Sequence, residues 1–135
     1  MRNIEKYYKN TENALPHFFV QKFINMGIQP AFAIDLGCGV GRDTVYLLRN
    51  GWKVLAIDKE DTKEFILKKL DNKEAERFSF KCQSFENVEI EQNNLLVANF
   101  SIPFCNKDYF NNFWRKITDS ILKERIFYWK FFRIK

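Results

Sequence analysis

The chain has 135 residues, 46% of them hydrophobic, enough for one domain with a single core but short for an α/β enzyme. Aromatic residues reach 17%, mostly Phe, yet no stretch approaches the roughly 20 apolar residues that cross a bilayer, which argues against a membrane-spanning helix. The formal charge of +5 is concentrated at one end: Lys123 to Lys135 carries five basic residues against Glu124 alone, so overall basicity makes no case for a nucleic-acid partner.

The first residues, Met1-Arg-Asn-Ile-Glu-Lys-Tyr-Tyr, are polar and charged, unlike a signal peptide. Asn10 to Asn13 offers helix N-caps, Pro16 suits a first turn, and Leu15, Phe18, Phe19, Phe23 and Met26 follow helical spacing up to a C-terminal cap at Gly27. After Pro30, Ala31 to Leu36 reads as a short buried strand, Asp43 to Asn50 as a helix closed by Gly51, and Trp52 to Ile57 as a second buried strand. Together these make a β-α-β unit. Thr62 to Leu70 has the pattern of a helix, Phe78 to Cys82 alternates like a strand, and Leu95 to Phe100 is an apolar run suited to a parallel sheet. Asn106 caps a further helix with a core stripe of Phe110, Phe113, Trp114, Ile117 and Ile121, and Ile126 to Phe132 is the last strand. Five strands alternating with four helices predict an α/β fold: an open, doubly wound, mostly parallel sheet, with residues 1–135 as a single domain. Cys38, Cys82 and Cys105 are odd in number and far apart, with no Cys-x-x-Cys pair. They are expected to be buried free thiols in a reducing cytoplasm, with neither a disulfide nor a metal.

The segment that carries chemistry is Asp35-Leu-Gly37-Cys-Gly39-Val-Gly41-Arg-Asp43, where a strand ends and a helix begins. Glycines allow a sharp turn and let a ligand lie against bare backbone, and the N–H groups that open the next helix point outward. A tight turn with no ligand is the plainer alternative. The spacing differs from the dinucleotide fingerprint G-x-G-x-x-G, because the third glycine comes one residue early. Asp35, two residues before the first glycine, suits a cationic amino group and would repel a pyrophosphate. Asp58 ends the second strand, 17 residues after Gly41, where a carboxylate serves either as a helix cap or as a partner for ribose hydroxyls.

This D-x-G-x-G-x-G pattern with its acidic partner resembles the first motif of class I S-adenosylmethionine-dependent methyltransferases. Gly37 to Asp43, then Leu47-Leu48 and Gly51-Trp52-Lys-Val54, are most similar to the small-molecule branch related to tellurite and thiopurine resistance. The resemblance implies a Rossmann-like methyltransferase sheet and S-adenosylmethionine as cofactor. Gly37, Gly39 and Gly41 would border its methionine part and ribose, with Asp35 near the amino group and Asp58 on the ribose. Arg42 and Asp43 would open the next helix, as site residues or as no more than a solvated first turn. Alignment of strand ends adds Ser84 and Phe85 near the adenine, with Phe85 as a core aromatic in the alternative. It also adds Asn99 and Ser101 at the mouth of the site, or in a plain turn.

The implied activity is methyl transfer to a small-molecule nucleophile in the cytoplasm; the alternative is a non-catalytic or degenerate S-adenosylmethionine-binding module. No catalytic residue is evident: His17, the only histidine, sits on the first helix in an expected structural role, and nothing marks Cys38 as a nucleophile. Asn99-Phe-Ser101-Ile-Pro103-Phe104 is not the Asn-Pro-Pro-aromatic motif of enzymes that methylate nucleic-acid amines. The family sheet ends in an antiparallel hairpin beside the fifth strand, whereas this chain stops at Lys135, just past its fifth. Lys123-Glu124-Arg125 also replaces the usual Pro-Gly-Gly. Three readings follow: a chain truncated after the fifth strand, a homodimer invited by the open apolar edge of that strand, or a partner for the basic aromatic end. The basic aromatic end also has the composition of a single-strand nucleic-acid binder, a less favoured reading than a sheet strand.

Overall fold

Runs such as Ala33-Ile-Asp-Leu36 and Val54-Leu-Ala-Ile-Asp58 lack the in-out alternation of a half-exposed strand, because both faces of the sheet they form are covered. In the computed structural model, which describes residues 18–84, 88–101, 111–112, 115–116, 119–120 and 130–132, the chain runs α1 (Phe18–Ile24), β1 (Phe32–Leu36), α2 (Arg42–Arg49), β2 (Lys53–Asp58), α3 (Lys63–Leu67), α4 (Asn72–Glu76), β3 (Phe78–Cys82), β4 (Leu95–Ser101) and β5 (Lys130–Phe132). Residues 111–112, 115–116 and 119–120, between β4 and β5, are helical.

The strands form one sheet in the order β3-β2-β1-β4-β5, with every neighbouring pair parallel. The doubly wound architecture read from the sequence is therefore the one observed. Connections leave β1 toward β2 on one side, while β4 lies on the other, so the order reverses between β1 and β4. In such sheets, ligands bind outside the carboxyl ends of the strands at that switch point. The register brings those ends level: Leu36 pairs with Ile57 on one side and with Ala98 on the other.

Each face has its own core. Ala33, Val54, Leu95 and Val97 pack with Leu47 and Leu48 of α2, Val20 and Phe23 of α1, and Trp52. Ile34, Leu36, Leu55, Ile57, Leu96 and Ala98 form the opposite layer with Val88. Lys116 Nζ donates to Val88 O at 3.3 Å and Asn93 Nδ2 to Ser120 Oγ at 3.1 Å, tying the helical residues before β5 to the segment that leads into β4. Arg77, just before β3, donates to Leu48 O (2.8 Å) and Trp52 O (2.9 Å). A cation thus sits at the C-terminus of α2, where free carbonyls and the helix dipole favour it.

Several boundaries differ from the sequence reading. Trp52 was expected to open β2, but its N–H donates to Leu47 O at 3.0 Å and so closes the turn after α2; the ladder starts at Lys53. Thr62 to Leu70 was expected as one helix. It ends at Leu67, and α4 follows as a separate helix, because Asp71 is extended (φ −79°, ψ 177°) and forms a reciprocal cap with Glu74. Glu74 N–H donates to Asp71 Oδ1 at 2.8 Å, and Asp71 N–H to Glu74 Oε1 at 3.0 Å. Cys38 is buried as expected, but Cys82 is exposed, because it ends the edge strand β3; both are free thiols. Cys105, His17, Leu15, Pro16, the stripe Phe110, Phe113, Trp114, Ile117 and Ile121, and residues 126–129 lie outside the described residues. Among the described residues no helix is long and apolar enough to cross a membrane.

Candidate functional site

The glycine turn leaves β1 at Leu36 and is pinned to the end of β2. Gly37 and Cys38 both donate backbone N–H bonds to Ile57 O, at 2.7 and 3.2 Å. Gly39 N–H donates to Asp58 Oδ2 at 2.8 Å, and the other oxygen of that carboxyl accepts Glu60 N–H at 3.0 Å. Asp58 thus braces the turn and the start of the following loop together. Gly37, Gly39 and Gly41 have φ of 78°, 55° and 82°, the left-handed region that residues with a Cβ rarely adopt.

The middle and last glycines differ in what surrounds them. A Cβ on Gly41 would sit 2.6 Å from Ile66 Cγ1, so close packing of α3 against the start of α2 already demands a glycine there. A Cβ on Gly39 would meet nothing within 4 Å among the described residues. Tied to Asp58 at the end of β2, Gly39 thus turns its backbone toward open space among the described residues.

Asp35 stands one residue before the end of β1, between Ala56 of β2 and Val97 of β4 in the register, and is only 1% exposed. Thr44 in the first turn of α2, fully buried, donates its hydroxyl to Asp35 Oδ2 at 2.7 Å. Among the described residues, Asp35 Oδ1 has no hydrogen-bond partner. Burial, the nearby Asp43 carboxyl and, more weakly, Asp58 push the Asp35 carboxyl up to about 8, against the opposing hydrogen bonds from Thr44. The Cys38 thiol is likewise pushed well above its ordinary value, first by burial and then by Asp35 and Asp58. It is held protonated, with Thr62 Oγ1 3.9 Å from its sulfur, and so is a poor nucleophile.

Arg42 is the first residue of α2 and half-buried, while Asp43 is 2% exposed, so Asp43 is no part of a solvated first turn. The structure thereby gathers Asp35, Asp43 and Asp58 around one glycine turn. Such a set favours a cationic ligand group and opposes a pyrophosphate. Ser84 follows β3 and is half-buried; Phe85 lies outside the described residues. Asn99 and Ser101 are strand residues of β4, paired with Lys130 and Phe132 of β5, and Asn99 falls level with Gly37, one step beyond the Leu36–Ala98 pair. Thr44 and Thr62 were not singled out in the sequence. Nothing local marks them, since their partners are nine and 24 residues away.

Known proteins share the fold that carries this turn. Solved structures with the same fold include TehB from Haemophilus influenzae (22% identity, TM-score 0.73, covering 93% of this chain and 44% of that one). A Methanococcus maripaludis protein assigned as an S-adenosylmethionine-dependent methyltransferase matches at 21% identity and TM-score 0.75, over 96% of this chain and 64% of that one. The 1,6-didemethyltoxoflavin N1-methyltransferase of Burkholderia thailandensis, solved with 1,6-didemethyltoxoflavin and S-adenosylhomocysteine bound, matches at 22% and 0.66, over 82% and 49%. The chain thus spans less than two thirds of the length of each. No curated protein sequence matches it. The family model for tellurite resistance protein TehB matches residues 1–120, most of the chain, and the chain belongs to that family.

Proposed function

We propose that the glycine turn binds S-adenosylmethionine and that the protein is a methyltransferase acting on a small-molecule nucleophile. The observation that carries this reading is the glycine turn itself, which follows Asp35 of β1, is tied to Asp58 of β2 through Gly39, and leaves Gly39 facing open space among the described residues. The residues fit the cofactor chemically. Asp35 Oδ1, buried and unpartnered, offers a carboxyl to an ammonium group. Asp58 keeps a spare lone pair on each oxygen after accepting from Gly39 and Glu60, enough for ribose hydroxyls. Gly37, Gly39 and Gly41 supply backbone along which the ligand lies. Arg42, Asp43, Ser84, Phe85, Asn99 and Ser101 complete the proposed rim.

When bound, S-adenosylmethionine supplies a methyl group on a sulfonium for in-line displacement. The chain contributes binding and orientation, holding the methyl group in near-attack geometry and keeping water out of the cleft. With the Cys38 thiol held protonated, no side chain named here serves as nucleophile or base. That suits a soft acceptor that needs no deprotonation, such as a thiolate, a selenolate or a reduced tellurium oxyanion.

Calorimetry with S-adenosylmethionine, with NAD as the control, tests the cofactor; binding of neither, or of NAD alone, overturns the reading. Product formation over a panel of thiols, selenols and tellurite tests the activity. Binding without turnover of any of them would make the protein a cofactor-binding module. Pairing of the β5 edge with a second copy belongs to the same proposal, and a clean monomer on sizing chromatography would contradict it.

A further inference from the structure

Asp35 is an unusual group to find in a binding turn, because its surroundings oppose its charge. It is 1% exposed, it lies in the centre of a parallel sheet, and the charged groups acting on it are the carboxyls of Asp43 on α2 and Asp58 on β2, both of its own sign. The remaining titratable neighbour, Cys38 in the turn, is held as a neutral thiol. From α2, Thr44 gives one oxygen a hydroxyl hydrogen bond at 2.7 Å and its backbone also favours the charged carboxyl, while the other oxygen has no hydrogen-bond partner among the described residues. A buried carboxylate oxygen without a donor is costly, and the cost disappears when the group carries a proton or meets a cation.

We infer that Asp35 is neutral in the free site and yields its proton to solvent as a cationic ligand group arrives, with Thr44 as the positioning residue that holds one oxygen and leaves the other bare for the ligand. The inference rests on the glycine turn being an S-adenosylmethionine site and adds two things to it: a proton given up on binding, and a role for Thr44. It makes the turn selective for positive charge in two steps. A neutral or anionic ligand cannot replace the proton, and so finds Asp35 already satisfied. An ammonium group can replace it and gains a desolvated carboxylate as its partner. Ligand affinity is then linked to pH, because the free state holds a proton that the bound state does not. The elevated value of about 8 places neutral pH on the rising side of that dependence.

The test is calorimetry of S-adenosylmethionine binding to the whole chain, in pairs of buffers at equal pH but with different ionisation enthalpies. Near pH 6.5 the expected result is about one proton released per ligand, with affinity rising about tenfold per pH unit between pH 6 and pH 7. Thr44→Val removes the hydroxyl at nearly constant volume. It should lower affinity at pH 6.5 by about tenfold, the scale of one hydrogen bond to a charged group, and move the pH dependence upward. Thr44→Ser should restore both. Comparing variants with the same ligand cancels any titration of the ligand itself, and a purely structural role for Thr44 would weaken binding without moving the pH profile. Binding that is independent of pH and releases no proton overturns the inference while leaving the cofactor reading intact. So does a Thr44→Val profile that overlays the parent's. Absence of binding at every pH overturns the cofactor reading, and proton release falls with it. In that case a carbon-13 NMR titration of the Asp35 carboxyl judges its neutrality: a midpoint in the ordinary carboxylate range rejects it, and one near pH 8 upholds it.

Discussion

The ends of β1 and β2 carry the same residue type one strand apart, yet the sheet treats the two aspartates in opposite ways. Asp58 accepts a backbone N–H on each oxygen, from Gly39 and Glu60, and so is built into the turn. Asp35 has one oxygen held by Thr44 and the other, among the described residues, by nothing, with two carboxyls nearby. By register Asp58 falls level with Gly37, beside the turn whose Gly39 N–H it accepts, and it still pairs with Cys82 of β3. Asp35 lies two steps deeper, in the ladders to Ala56 of β2 and Val97 of β4, where the turn's backbone donors are out of line with it.

The largest effect is expected from filling the open space beside Gly39. Gly39→Val puts a branched side chain into the open approach, at a φ of 55° that it tolerates poorly. Calorimetry should detect no S-adenosylmethionine binding, and unchanged affinity would remove the site from this turn. Asp35→Asn comes next. It should cost about 100-fold or more in affinity, the loss of a charged partner in a desolvated site. The free protein, however, should become more stable. A carboxyl raised from 3.8 to about 8 by folding binds its proton more tightly in the folded chain, so its contribution is fully present below about pH 4 and is lost as pH rises toward 8. Thermal melts should therefore show Asp35→Asn stabilising by a few kcal/mol at pH 8 and by little at pH 4. A variant that destabilises equally at both would show that Asp35 is braced as Asp58 is.

Asp58→Ala should do the opposite to the fold. Two N–H donors lose their acceptor, and we expect losses of roughly 1–3 kcal/mol in both stability and binding. Gly41→Ala tests the neighbouring glycine. Its Cβ would collide with Ile66, so unfolding should fall by about 1–3 kcal/mol, and Ile66→Ala in the same chain should recover part of the loss. Failure of that recovery would mean that the left-handed backbone, at a φ of 82°, rather than packing against Ile66, sets Gly41. The smallest effect is expected far from the site. Arg77→Met removes two bonds to the carbonyls of Leu48 and Trp52 and should cost about 1 kcal/mol in melts without changing cofactor affinity.

Much of the fold was legible before the structure. The strand at Phe78–Cys82 appeared at its observed limits, and the parallel doubly wound order followed from β-α-β spacing. The helix α4 (Asn72–Glu76) is absent from the sequence reading although Asp71-Asn-Lys-Glu74 is a capping-box sequence, because five residues with no buried side chain carry no apolar periodicity. Trp52 was assigned to the wrong element because an apolar residue beside a strand looks the same whether it joins the ladder or closes the preceding helix. The buried state expected for all three cysteines failed at Cys82, since composition does not tell an edge strand from a central one.

By itself the sequence determined the turn, its three glycines and the two aspartates that flank it, because those depend on short spacings and on where a Cβ is forbidden. Only the tertiary structure decided what each does. It set Ile66 against Gly41, left Gly39 open, spent both oxygens of Asp58 on backbone, and brought Thr44 to one oxygen of Asp35. These are contacts between residues up to 25 positions apart, fixed by how α2 and α3 pack on the sheet. The physical reason is one of range: backbone conformation is a local property, whereas the partner and the solvation of a carboxyl are set by whatever the fold brings beside it.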